Sequence, residues 1–158
     1  IAVLLEAAAA IDVAEYNVDV VPFNSEVYNG ASGELAYLGR IDGEHMVLMI
    51  NIDSPCHVGS QTAVSFYNIS YDMQAAADKV IDSRPDIVKG DVWYAGDHAP
   101  FLFRRIPCMA VTSSDFFEGA LEHTHTHQDT VATVDDGLVE ASARFLKDVV
   151  DALCNRLR

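Results

Sequence analysis

The chain has 158 residues, half of them hydrophobic, which suits one domain with a real core and leaves no tract for a linker or a repeat. Its 24 acidic and 10 basic residues give a formal net charge of −14. Such a surface repels phosphate backbones and argues against nucleic acid or anionic membrane as a partner.

The opening run IAVLLEAAAAI is the longest apolar stretch, yet it carries Glu6 and is too short to span a bilayer. It also lacks the basic lead of a signal peptide. Leu4, Leu5, Ala8 and Ile11 share one face, which predicts a short amphipathic helix. VDVVPF at 18–23 is β-branched and predicts a strand, followed by a short helix in GELAYLGR at 33–40. MVLMINID at 46–53 is nearly continuous in apolar residues and fits a strand buried on both faces. TAVSFYNI at 62–69 predicts a third strand and YDMQAAADKVIDS at 71–83 a longer helix.

APFLFRR, from residue 99, reads as an apolar helix, and PCMAVTS at 107–113 as a strand entered through Pro107. The closing helix carries Leu138, Val139, Phe145, Leu146, Val149, Val150, Leu153 and Leu157 on one stripe. Asp135 stands where an N-cap would, and Arg156 and Arg158 suit the negative end of the helix dipole. Strands alternating with helices predict a single α/β domain with its sheet covered on both faces. Cys56, Cys108 and Cys154 are odd in number and lack CxxC spacing, so they read as core residues or free thiols.

Polar groups at the carboxyl ends of strands in an α/β sheet project into a common crevice. Glu26 follows the first predicted strand and Asp53 ends the second. Each could be a metal ligand or an acid–base group; Asp53 could equally cap a turn in DSPCHVG, and Glu26 could be a solvated loop carboxylate. In AGDHAPF, Asp97 could cap the following helix and His98 could be a satisfied core histidine. An Asp–His pair near Cys108 or Ser113 could suggest nucleophilic catalysis, but no nucleophile elbow is present. LEHTHTHQDT at 121–130 places histidines at 123, 125 and 127. Neutral imidazole is the commonest zinc ligand and carboxylates are frequent companions, so Glu26, Asp53 and one of these histidines supply parts of a hydrolytic zinc site.

Taken in order, the acid in FNSEVYNGASGELAYL, then NID at 51–53, GDHAPF, HTHQDT at 125–130 and the closing helix resemble the zinc exopeptidases of the leucyl-aminopeptidase type. That family also contains glutaminyl cyclases and transferrin-receptor-like domains. The resemblance runs over essentially the whole chain, and its sharpest element is H-T-x-x-D-T. It implies an α/β fold with a mixed, mostly parallel sheet and helices on both faces. It also implies an aminopeptidase activity on peptide substrates with zinc as cofactor. By the same match His125 is a zinc ligand, Asp53 a carboxylate ligand of the second zinc, and Glu26 the general base. Asp97 and His98 match the D-H element that lines the substrate pocket, Asp129 and Thr130 structure the loop, and His123 and His127 are bystanders.

The departures are specific. Val27 stands where the family carries a second acid that ligates metal, and an isopropyl group coordinates nothing. The family's H-x-D motif and bridging Asp precede the helix that matches IAVLLEAAAAI, so the match implies a domain without its leading strands. Of five ligating side chains only Asp53 and His125 are matched, and they serve different ions. The expectation is a zinc-exopeptidase-like domain with an incomplete metal site, the alternative a non-catalytic domain serving in binding or assembly. An uncovered sheet edge would be a surface for a second copy. A homodimer is therefore expected at micromolar concentration, and a monomer mass by light scattering would rule it out.

Overall fold

The computed structural model describes residues 1–12, 17–23, 30–41 and 45–154, of Cys154 the backbone alone. The chain order is α1 (Ala2–Ala10), α2 (Ser32–Leu38), β1 (Met49–Ile52), β2 (Thr62–Tyr67), α3 (Tyr71–Asp82), β3 (Ile87–Lys89), α4 (Ala99–Phe103), β4 (Cys108–Ser113), α5 (Leu121–His123) and α6 (Asp136–Cys154). The strands form one open mixed sheet in the order β1-β4-β2-β3. β1 runs parallel to β4 and β2 parallel to β3, while β2 and β4 are antiparallel. The carboxyl ends of β1 and β4 therefore lie on the same edge as the start of β2.

Alternation along the strands divides the core in two. Ile50, Ile52, Val64, Met109 and Val111 face a layer of α1, α3 and α6, filled by Val3, Ala7, Met73, Phe145, Leu146 and Val149. Met49, Tyr67, Cys108 and Ala110 face the other way, onto Leu38, Trp93, Phe101 and Ile106 from α2, α4 and the connections around them. Helices thus cover both faces, as α/β patterning predicts. β4, sandwiched between neighbours, is buried at every residue.

The α6 helix forms where expected because its stripe of apolar residues meets both α1 and α3. The Asp135 carboxylate accepts from the Leu138 amide at 3.1 Å, the expected cap, worth about 1 kcal/mol. Ser70 caps α3 in the same way through the Met73 amide.

Two expectations are corrected, and one strand appears that was not expected. Residues 18–23 form no strand: Val18 and Val20 are exposed, Pro22 lacks an amide to pair, and Phe23 instead packs against Tyr37 and Phe101 at 6.0 and 6.4 Å. The α1 helix turns Val3 and Ala7 inward and leaves Leu5 exposed, since a nearly all-apolar helix does not itself specify its buried face. β3 went unpredicted because only three residues of DIVK pair with β2. Among the described residues no helix is long and apolar enough to cross a membrane. Glu26, Val27, Leu157 and the two terminal arginines lie outside the described residues.

Phe145 is fully buried where α6 meets the sheet. Phe145→Ala should lower the unfolding free energy by about 3–5 kcal/mol in urea denaturation, the cost of an unrefilled aromatic cavity.

Candidate functional site

Asp53 directly follows β1, and its amide still pairs with the Val111 carbonyl at 3.0 Å. Its half-buried carboxylate accepts from the Ser54 hydroxyl at 3.1 Å. The chain then turns sharply, with Ser54 and Cys56 both in the left-handed region at φ 45° and 71°. The surroundings hold this unusual backbone in place. Ser113, the last residue of β4, donates its hydroxyl to the Ser54 carbonyl at 2.7 Å and accepts from the His57 amide at 2.9 Å. The Cys56 carbonyl accepts from the Asp135 amide at 2.8 Å, and the Val58 amide donates to Thr133 at 2.9 Å. Thr62 and Ser142 hydroxyls meet at 2.7 Å just behind Cys56. The segment after β1 is thus stitched to the end of β4 and the start of α6.

After β4 the chain makes a π-helical turn over Phe116–Ala120, leading into α5. Asp115, just ahead of that turn, sets its carboxylate 2.7 Å from His57 Nδ1. Gly119 makes that approach possible: a Cβ there would lie 2.2 Å from Asp115 Oδ2 and 3.3 Å from His57 Cε1. His123 ends α5 with its ring against His57, centroids 5.5 Å apart and planes at 61°. Sequence reasoning missed this group. His57 has no motif around it, and only the pairing of two distant loops joins it to Asp115.

The HTHQDT loop follows. Thr126 donates to the His123 carbonyl at 2.6 Å and accepts from the Gln128 amide. Thr130 accepts from the Ala132 amide and receives the Thr133 hydroxyl at its carbonyl, 2.7 Å away. The loop is docked at both ends onto the 56–58 segment, by His123 on His57 and by Thr133 and Val134 pairing with Val58 and His57. His125 and His127 are exposed between those anchors, and His125 takes φ 63°. Among the described residues no group of three or more His, Cys, Asp and Glu side chains is disposed to hold a metal ion.

His98 reaches the sheet from its α2–α4 face. His98 is fully buried, with Nε2 2.9 Å from the Trp93 carbonyl and Nδ1 3.1 Å from Asn51 Nδ2. A carbonyl only accepts, so Nε2 carries the proton and Nδ1 accepts from the Asn51 amide. Both ring nitrogens are satisfied, as in a core histidine. His98 also occupies the cap position of α4 and makes no capping bond with its side chain. Its ring packs on Trp93 at 4.7 Å, and Trp93 packs on Phe116 at 5.5 Å, so it supports the π-helical turn from behind. Asp97, one residue earlier, is half-buried.

The His98 ring nitrogens are bonded to Trp93 and Asn51 rather than to Cys108 or Ser113. Burial pushes the Cys108 thiol up to about 12, and both bonds of the Ser113 hydroxyl are spent on the 54–57 turn. Cys56 and Cys108 are free and buried, as the sequence suggests. Compared with known proteins, the chain matches no family model and no curated sequence.

Burial holds the His98 pKa below its ordinary 6.5, against opposing effects of the Trp93 carbonyl and the Asp53 charge. A depressed folded pKa means the unfolded chain takes up the proton first. The stability His98 provides is therefore complete above pH about 6.5 and is lost as pH falls through the folded pKa. In denaturation at pH 7 and pH 5, the stability difference between wild type and His98→Gln should shrink toward the lower pH. An unchanged difference would refute this account.

Proposed function

We propose that this chain is a zinc-exopeptidase-type domain, a peptide hydrolase of the aminopeptidase class carrying an incomplete metal centre. One observation supports the reading above the others. The HTHQDT loop is anchored at both ends on the 56–58 segment, three to five residues after Asp53 leaves β1.

The residues present do not fit a complete two-zinc centre. Val27 cannot coordinate, and Asp53 and His125 belong by the resemblance to different ions. A catalytic zinc is held by three protein ligands on one ion, with water in the fourth position. No reaction step is therefore assigned to the metal in this chain. What its residues contribute is a half-buried carboxylate held by Ser54 and an exposed imidazole held in a left-handed turn.

A second reading is favoured by Val27 itself: a non-catalytic domain that keeps the fold for binding or assembly, with a second copy as one partner. Metal analysis of protein purified without a histidine tag, paired with an aminoacyl-amide hydrolysis assay, separates the two. The hydrolase reading expects turnover that is lost by a factor of about 100 or more in Glu26→Gln, the usual scale of a general base. Turnover indistinguishable from buffer, with or without added zinc, would sink it in favour of the non-catalytic domain.

A further inference from the structure

We propose that His57 and His123 together bind one divalent transition-metal ion of the class that prefers imidazole, with Asp115 orienting His57. This site is separate from Asp53 and His125 and does not rest on the peptidase reading.

The first argument is a concentration of unpaired polar atoms. Six buried side-chain nitrogen and oxygen atoms lack a hydrogen-bond partner among the described residues, and three belong to this one contact group: His57 Nε2, His123 Nδ1 and Asp115 Oδ1. Buried polar groups without partners are uncommon, and an unseen ion or water is a standard cause. Here two of the three are imidazole nitrogens on rings that pack against each other.

The second argument is protonation. Asp115 Oδ2 sits 2.7 Å from His57 Nδ1 and accepts its proton, so the lone pair of the neutral ring lies on Nε2. A carboxylate holding one ring nitrogen while the other is left to coordinate is the usual outer support of a metal-ligating histidine. Gly119 permits this contact, since any side chain there would drive the carboxylate away.

The third argument is spacing. Two imidazoles on one tetrahedral ion, at metal–nitrogen distances of about 2.0–2.1 Å, hold their ring centroids roughly 5 Å apart. The observed separation is 5.5 Å, close to that spacing, and His123 ends α5, a single short turn. Asp115 and the strongly acidic chain favour a cation over an anion at this position. Two imidazoles with waters completing the shell suit zinc, copper or nickel rather than calcium or magnesium, which take oxygen ligands.

Zn(II) titrated by calorimetry into the tag-free full chain, stripped with chelator, tests the proposal. One equivalent should bind to wild type, and His57→Gln and His123→Gln should each weaken that equivalent by about tenfold or more. Asp115→Asn should weaken it by about 10–100-fold, the scale for losing an orienting partner. The double variant His125→Gln/His127→Gln and the single variant Asp53→Asn should both retain it. Near-UV circular dichroism checks the fold, and if His57→Gln does not fold, the partly exposed His123→Gln decides the outcome. No zinc binding to wild type would overturn the proposal. Binding that is lost in the His125/His127 pair but kept in His123→Gln would overturn it too, and would assign the metal to the tract. Because hydrolysis is not a readout, the site stands or falls independently of the peptidase reading.

Discussion

The arrangement of the loops that leave β1 and β4 depends on the hydrogen-bonded clamp around residues 54–58. β1 and β4 are parallel neighbours, so both release their chains at the same end of the sheet. Ser113, ending β4, ties down the segment after β1 by donating to the Ser54 carbonyl and accepting from the His57 amide. Cys56 then bonds the start of α6 through its carbonyl, and Val58 bonds the turn before it. Two residues with side chains are held at positive φ, a cost of order 1–3 kcal/mol each that persists only where the surroundings over-determine the backbone. That cost places His57 against Asp115 and sets both ends of the HTHQDT loop.

Histidine is used in three different ways within this architecture. His98 is a structural core residue with both nitrogens occupied, its charge suppressed by burial. His57 and His123 form a packed pair with open buried nitrogens. His125 and His127 are solvent-exposed on a loop whose threonines, rather than whose histidines, define its shape. Count along the tract says little about role, because neighbouring positions in a turn point into different environments. The aromatic path from His98 through Trp93 to Phe116 links the first use to the second, packing the floor beneath the π-helical turn.

Much of the architecture was legible in the residues. The long apolar periodicity of α6, its Asp135 cap and the buried runs of β1, β2 and β4 all follow from burial patterns local enough to be read in one window. The failures came where local pattern was ambiguous. VDVVPF has strand composition but finds no partner strand, and DIVK becomes a strand only because β2 offers it an edge. Asp53 was legible as an acid ending an apolar strand, and HTHQDT as a histidine-rich tract whose loop conformation local pattern left open. His57 and Asp115 were not, since 58 positions separate them and neither lies in a recognisable spacing.

By itself, the sequence determined the α/β class, the strongly acidic charge balance and which apolar stretches make the core. These depend on composition and on periods of two or 3.6 residues, which act over a few neighbours. The tertiary structure alone decided which polar side chains meet. It buried His98 with both nitrogens paired, drew His123 onto His57, and left His125 at the surface. Contacts of that kind depend on strand order and loop docking, which no local period encodes.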